Sequence, residues 1–189
     1  METAADESLM HQVRDGDVEA LATLFERHHR PLFHFFAQMT GGRETADDLV
    51  QDVFFRMLKY KHTYSPDGRF VAWMYQIARN TYTDYQRKRR FEGALPKSPE
   101  QTEFESADPE PGIDHRLARG QDIALLRRAF DRLPVEKREI LVLSRYQDLK
   151  YEEIAEILGC EVGAVKVRVF RAVRQLGDIF NRLSGRRAS

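Results

Sequence analysis

A run of acids and prolines in the middle of the chain, residues 91–115, restricts the possible folds more than any other feature. It holds seven acidic residues against one lysine, a net charge of −6, and four of the seven prolines in the sequence. Proline is excluded from helix interiors, and a run of like charges resists collapse into a core. We therefore expect a flexible linker at 91–115 that joins two domains, at 6–90 and 116–185.

The charge of the chain is balanced only in total. The 30 basic and 30 acidic side chains cancel, but residues 161–189 contain seven bases and two acids, a net charge of +5. Residues 87–90 read RKRR and form a second basic zone. Clusters of this kind favour binding to nucleic acid, so the neutral total does not exclude it.

The composition also bears on compartment and cofactors. The single cysteine, Cys160, can form neither an internal disulfide nor a cysteine-based zinc site, which suits a reducing compartment. Residues 1–10 have no long apolar run, and no stretch is long enough to cross a bilayer. These features predict a cytoplasmic, soluble protein without membrane insertion, metal or cofactor.

Both predicted domains have helical patterns. Strong helix formers dominate, and alternating strand patterns are absent, so the predicted fold class is all-α. Before the linker, helices are predicted at 18–39, from Thr45 onward, and at 69–90. Gly41 should end the first of them, and Thr45 with Asp48 resembles a capping box for the second. After the linker, helices are predicted at 119–133, 135–146, 151–158 and 162–183.

The last two segments match the helix-turn-helix pattern. Ala155 is small where two helices would cross, Gly159 follows in the turn, and Val165 is β-branched six residues later. A small residue permits close approach, glycine adopts the left-handed turn at low cost, and the β-branched side chain fills the corner. The pattern predicts that helix 162–183 lies in a major groove of DNA.

At 100° per residue, the outward face of this helix can be assigned from sequence. It carries Gly163, Ala164, Val167, Phe170, Arg171 and Arg174, with Lys166 and Arg168 at its edges. The bases can reach phosphates or guanine edges. Val167 and Phe170 are apolar but outward, so we expect them to touch thymine methyls or a protein partner. A helical hairpin with a solvated basic face is the competing interpretation, which the charge arrangement disfavours.

The segment 69–90 mixes aromatic and basic side chains, which suits unpaired bases that stack on rings and phosphates that attract cations. Core packing is the competing interpretation for most of these aromatics. It is the better one for Phe70, whereas both remain open for Trp73. The preceding loop, 61–68, carries His62 and Tyr64 and is predicted to form a pocket for a flipped base.

The second helix has a different outward face. It presents Asp48, Gln51, Asp52, Phe55 and Lys59. An exposed phenylalanine among acids and amides is typical of a protein-contact surface, although a solvated face with one stray aromatic is also common.

Two groups of motifs resemble a known family. Residues 47–54 read DDLVQDVF and residues 73–90 read WMYQIARNTYTDYQRKRR, which resemble region 2 of the sigma-70 family of bacterial RNA polymerase sigma factors. Residues 133–176, including YEEIAEILG at 151–159, resemble region 4. Their order, the linker and the missing intermediate domain resemble the extracytoplasmic-function (ECF) class. The resemblance implies an alternative sigma factor that directs polymerase core to specific promoters.

The resemblance also implies roles for individual residues. The clamp helices of the largest polymerase subunit would be bound by Asp48, Gln51, Asp52 and Phe55. The −10 element would be melted and read by the 61–68 loop together with Trp73, Arg79, Asn80, Asp84 and Arg87. The −35 element would be read by Lys166, Arg168 and Arg171, in a domain that also contacts the polymerase flap. Val167 and Phe170 depart from the small polar or histidine residues that the family often has at these positions.

Partners and regulation are implied in the same way. Promoter DNA and an anti-sigma factor would be partners besides polymerase, and the linker would run toward the polymerase active site. The residues leave open whether the free chain closes its two domains together and so masks its DNA-binding surfaces.

Two other classes of function, a metalloenzyme and a free-standing regulator, fit only part of the sequence. Glu26 and His29 have the spacing of a di-iron ligand pair, but the second pair and further glutamates of such a site cannot be assembled. The chain has no glycine-rich phosphate loop and no nucleophile motif, so no catalytic residue is predicted. A free-standing helix-turn-helix regulator is the remaining alternative, and it would not need the segment that resembles region 2.

Overall fold

The computed structural model describes residues 5–65, 67–91, 93, 113–147 and 149–185, with the backbone alone for 113–121. Within these ranges every regular element is a helix or helical turn, which confirms the all-α prediction. Most of the predicted linker, 91–115, lies outside the described residues. No helix in the described ranges is both long and apolar enough to cross a membrane.

Four helices precede this gap. They are α1 (Asp6–Asp15), α2 (Val18–Thr40), α3 (Arg43–Lys59) and α4 (Phe70–Phe91), with a 3-10 turn at Lys61–Thr63. α2 packs against α1 and α3, and α3 packs against α4. α3 and α4 bury apolar side chains toward each other, which places a continuous apolar core between these helices.

The sequence patterns above do not predict α1. Its Leu9, Met10 and Val13 are buried, and Gly16 ends it in the left-handed conformation. Asp6 links the helix to α2 through an ion pair with Arg27 at 2.6 Å and a hydrogen bond with His28 at 2.7 Å. Ten residues give too few repeats for a helical period to be recognised in the sequence. A helix this short is stabilised mainly by its tertiary contacts.

The junction between α2 and α3 corrects one prediction. Gly41 ends α2 with a φ of 73°, as expected, but α3 begins at Arg43 with Gly42 at its N-cap. The capping box at Thr45 is therefore wrong. Thr40 makes the local hydrogen bonds instead, because its hydroxyl donates to the Phe36 carbonyl and accepts from the Gly42 N–H.

Four further helices follow the gap. They are α5 (Ile113–Asp131), α6 (Val135–Leu141), α7 (Tyr151–Leu158) and α8 (Val162–Leu183), with one π-helical turn at Val142–Tyr146 after α6. The bounds of α7 and α8 agree with the prediction. α5 starts six residues before the predicted position and includes the last residues of the predicted linker. No proline or glycine interrupts 113–118, so nothing prevents the helix from extending there.

The helices on the two sides of the gap pack against each other. α4 contacts α7, and α2 contacts α6 and the π-helical turn. The buried Tyr75 of α4 donates its hydroxyl proton to the Gln147 side chain at 2.7 Å. Arg138 of α6 donates to the Met39 carbonyl at 3.2 Å. The structure is thus a closed arrangement, in which the region-2-like helices touch the helix-turn-helix.

Candidate nucleic-acid interface

The helix-turn-helix has the geometry that the sequence predicts. Ala155 and Val165 are buried between α7 and α8, and Gly159 takes the left-handed conformation with a φ of 60°. The Cys160 N–H closes the turn by donating to the Ala155 carbonyl at 2.9 Å. All three positions of the pattern are confirmed, and they hold α8 at a fixed angle to α7.

Gly159→Ala is expected to destabilise the chain by about 1–2 kcal/mol, because an L-residue pays that cost in the left-handed region. A Cβ at Gly159 would meet no atom within 4 Å, so the cost would be conformational rather than steric. Gly177→Ala is the matched control, since it lies inside α8 and also has open space. Alanine there should stabilise by about 0.5–1 kcal/mol. Equilibrium urea unfolding measures both, and effects of the same sign would contradict this account.

The outward face of α8 is exposed as predicted. Val167 and Phe170 leave 47% and 67% of their surface in solvent, and the four surrounding bases, Lys166, Arg168, Arg171 and Arg174, are exposed. None of the four forms an ion pair with another residue that the structure describes. Ala164 is half-buried at the N-terminal end of the face. The face can therefore approach a polyanion through all four cations.

Part of the predicted −10 face of α4 is occupied by other parts of the chain. Arg79 forms an ion pair with Glu139 of α6 at 2.7 Å and donates to the Ile157 carbonyl of α7 at 3.1 Å. Gln76 donates to the Glu156 carbonyl of α7 at 3.2 Å. In the closed arrangement, these two outward side chains of α4 contact the C-terminal helices.

The remaining predicted −10 residues differ in accessibility. His62, Asn80 and Arg87 are exposed, and Trp73 is half-buried, with the centroid of its ring 5.3 Å from that of the Tyr64 ring. Asp84 is exposed but accepts a hydrogen bond from Arg56 at 2.7 Å. The structure thus places accessible −10 candidates on both the loop and the exposed side of α4.

Tyr64 requires a correction. It is only 1% exposed, and its hydroxyl donates to the Gly68 carbonyl at 2.6 Å, so it cannot contact a flipped base in this structure. Burial raises the pKa of Tyr64 to about 12, so the hydroxyl remains a hydrogen-bond donor well into the alkaline range. The neighbours of Tyr64 in the sequence are polar, so they do not indicate that its ring is buried. The buried ring and its hydrogen bond to Gly68 stabilise the loop.

The outward face of α3 divides into a free part and a paired part. Asp48 and Gln51 are exposed, and Phe55 leaves 65% of its surface in solvent. Asp52 is instead paired with Arg56 at 3.1 Å, and the same guanidinium reaches Asp84 of α4. Sequence spacing can identify the first pair, four residues apart on one helix, but not the second, which joins two helices.

The alternative metal site receives no support from the geometry. The His29 ring stacks on Phe25, and its Nδ1 lies 2.8 Å from the Phe25 carbonyl oxygen. In the part of the chain that the structure describes, no group of three or more histidine, cysteine, aspartate or glutamate side chains could hold a metal ion.

Comparisons with known proteins agree with the two-part geometry. The family model for sigma-70 region 2 matches residues 24–92, and that for sigma-70 region 4 matches residues 123–176. The ECF sigma factor SigE of Mycolicibacterium smegmatis is 34% identical over 86% of this chain and 63% of its own length. CarQ of Myxococcus xanthus, an RNA polymerase sigma factor, is 30% identical over 92% of this chain and 97% of its own. The ECF sigma factor EcfG of Rhodopseudomonas palustris is 34% identical over 77% and 76%.

Solved structures extend the similarity to the whole fold. CnrH in complex with the cytosolic domain of CnrY superposes with a TM-score of 0.70, at 25% identity, over 95% of this chain and 99% of that chain. The sigma factor RpoE in complex with the anti-sigma factor NepR from Bartonella quintana superposes with a TM-score of 0.63, at 25% identity, over 87% and 98%. Taken with the two family matches and the curated relatives, these likenesses place the chain in the sigma-70 family of RNA polymerase sigma factors, as a member of its ECF group.

Proposed function

We propose that this chain is an alternative sigma factor that brings RNA polymerase core to specific promoters and initiates transcription there. The observation that carries the proposal is the pairing of two exposed faces in one chain. α3 presents an aromatic side chain among acids and amides, and α8 presents a basic face typical of a recognition helix. A free-standing helix-turn-helix regulator would need only the second face, so this alternative is disfavoured.

The proposed functions are assigned to the two domains and the linker, with the boundaries predicted from the sequence. Residues 6–90 form a region-2 domain that binds the polymerase clamp through Asp48, Gln51, Asp52 and Phe55, and that melts the −10 element. Residues 116–185 form a region-4 domain that binds the −35 element and the polymerase flap. Residues 91–115 link the two domains. The chain acts in the cytoplasm as a polymerase subunit and carries no catalytic residues of its own.

The −10 step requires the closed arrangement to open. His62, Asn80 and Arg87 are accessible to DNA in the closed chain, whereas Arg79 is held by Glu139 and the Ile157 carbonyl. A guanidinium in that position cannot contact promoter DNA at the same time. Binding to polymerase would therefore have to separate α4 from α6 and α7 before Arg79 can act.

An anti-sigma factor is the proposed regulatory partner. Both similar structures above are complexes, one with the cytosolic domain of CnrY and one with the anti-sigma factor NepR. The superposition on CnrH covers nearly the whole chain, so the closed arrangement is the form that we expect an anti-sigma factor to bind.

The proposal is tested by mixing the purified chain with bacterial core RNA polymerase, followed by gel filtration and run-off transcription on genomic fragments. We expect co-elution and new transcription start sites that core polymerase alone does not produce. Failure to bind core in the absence of any inhibitor would overturn the sigma assignment and favour a free-standing regulator.

Arg171→Ala is expected to reduce discrimination between cognate and mutated −35 sequences by about 1–3 kcal/mol, the usual value of an arginine that contacts a guanine edge. Arg171 is exposed on the outward face of α8, within its N-terminal half. Holoenzyme affinity for duplexes with single changes in the −35 element measures the effect. Arg182→Ala is a control, because that guanidinium donates to the Asp178 carbonyl in the last turn of α8. Equal losses on every duplex would instead make Arg171 a phosphate contact.

A further inference from the structure

The first helix, α1, is assigned no part in the proposed function. It spans Asp6–Asp15 and precedes residues 24–92, which are those that match region 2. It is nevertheless fixed in the fold, because its apolar side chains are buried and Asp6 pairs with Arg27 of α2. A helix that is fixed in this way is suited to hold a neighbouring functional segment in position.

The helix contacts the 61–68 loop where this loop begins and again in its middle. The Lys61 ammonium donates to the Val13 carbonyl, near the C-terminal end of α1, at 3.0 Å. The ring of His11 lies beside that of the buried Tyr64, with 5.6 Å between the ring centroids. Two successive points of the loop therefore rest on the same helix.

A third contact fixes the segment that follows the loop. The N–H of Phe70, the first residue of α4, donates to the Glu7 carboxylate at 3.3 Å. The first N–H groups of a helix have no acceptor within that helix, and here a carboxylate from α1 satisfies one of them. Lys61 and Phe70 lie at the two ends of the connection between α3 and α4. Both ends of this connection are thus tied to α1.

We propose that Glu7, His11 and Lys61 are positioning residues, which hold the 61–68 loop in the conformation that receives a flipped base of the −10 element. The inference rests on the proposed function and gives α1 a part in it. A mobile loop has to be ordered when the base binds, which lowers the affinity for the preferred base. Contacts that already exist in the free chain reduce this cost. The exposed His62 can then contact the base without further ordering of the backbone.

Glu7 offers the sharpest test, because two substitutions remove the same charge but differ in the hydrogen bond. Glu7→Ala removes the acceptor of the Phe70 N–H, whereas the amide oxygen in Glu7→Gln can still accept it. Glu7 is exposed, so both variants should fold with melting temperatures close to that of the wild type. Asp15→Ala is a further control, since it removes an exposed acid from the opposite end of α1.

The measurement uses holoenzyme assembled from the full chain and core polymerase. Start sites mapped by run-off transcription give the −10 motif. Competition binding with single-stranded non-template DNA then compares the four bases at each position of this motif. At the position where the wild-type chain discriminates most, Glu7→Ala should reduce discrimination about three- to tenfold, the value of one hydrogen bond. Glu7→Gln should reduce it less than about twofold, and Asp15→Ala should keep the wild-type ratio.

Lys61→Met tests the contact at the start of the loop. If the ammonium positions the loop through the Val13 carbonyl, discrimination between bases should fall in the same range as for Glu7→Ala. A lysine that instead binds a phosphate would lower the affinity for all four bases equally. Equal losses would therefore overturn the positioning role of Lys61.

The outcomes separate this inference from the proposed function. If the wild-type chain forms no holoenzyme, the proposed function fails and the inference fails with it. If wild-type holoenzyme forms and discriminates between bases, but Glu7→Ala keeps the wild-type ratio, only the inference is overturned. The same holds if Glu7→Ala weakens binding of all four bases equally, or if Glu7→Gln loses as much discrimination as Glu7→Ala.

Discussion

Replacing Phe55 with arginine is expected to weaken binding of this chain to core RNA polymerase by about 30-fold or more, equivalent to roughly 2 kcal/mol. Phe55 leaves 65% of its surface in solvent on the free part of the α3 face. Buried aromatic anchors dominate protein interfaces, and a charged side chain in such a position would also have to be desolvated. Because the side chain is exposed in the free chain, folding stability should change by less than about 0.5 kcal/mol.

Competition with a labelled wild-type chain for core polymerase measures this effect. Phe91→Arg is the control, since Phe91 is 90% exposed at the end of α4, outside the α3 face. Binding of Phe55→Arg at the wild-type level would show that the α3 face does not contact polymerase.

The structure also decides which acid on α3 to test alongside Phe55. Asp52 pairs with Arg56, which in turn pairs with Asp84 of the predicted −10 face. Asp52→Arg would therefore disturb polymerase binding and DNA binding together. Asp48 is exposed and forms no ion pair with any residue in the described ranges. Asp48→Arg is the cleaner substitution, because it changes the charge of the α3 face without releasing Arg56.

The features predicted well from sequence are those set by local geometry. The bounds and outward face of α8 follow from a strong helical repeat, and Gly159 follows from the need for a left-handed residue in the turn. Both features depend only on residues that are close together in the sequence, so they can be recognised without knowledge of the tertiary structure.

The features that sequence could not predict depend on contacts between distant segments. Tyr64 lies in a polar loop, and only the tertiary structure shows that its ring enters the core while its hydroxyl meets the Gly68 carbonyl. Arg79 and Glu139 are 60 residues apart and lie on opposite sides of the linker. No local spacing relates them, so the basic residue on the predicted −10 face gave no indication of its partner on α6.

Glu139→Gln should shift the free chain from the closed toward the open arrangement, because it removes the carboxylate that pairs with Arg79. Arg79 Nε lies 2.7 Å from the carboxylate, and the two side chains are 33% and 13% exposed. Losing the carboxylate charge leaves a partly buried guanidinium underpaired, which costs about 1–3 kcal/mol. That cost corresponds to roughly a 5- to 150-fold change in the ratio of open to closed chains.

Small-angle scattering of the free chain measures the opening as an increase in radius of gyration. Glu136→Gln is the matched control, because Glu136 is exposed on the same helix and accepts no hydrogen bond from a described residue. Exchanging the charges in the double variant Arg79→Glu with Glu139→Arg should restore compactness. Such a rescue would show that the ion pair itself holds the chain closed. If the substitutions only reduced stability, their effects would add and the double variant would be more open than either single variant.

The same substitution distinguishes two explanations of how the closed arrangement is held. One explanation is that Glu139 and promoter DNA compete for Arg79. In that case Glu139→Gln releases Arg79 and should also increase the affinity of the free chain for single-stranded −10 DNA. If the radius of gyration and this affinity both stay at wild-type values, the apolar packing of α4 on α7 holds the chain closed without the ion pair. In that case polymerase would have to break the packed interface between α4 and α7. The ion pair of Arg79 with Glu139 would then not control when Arg79 becomes available to DNA.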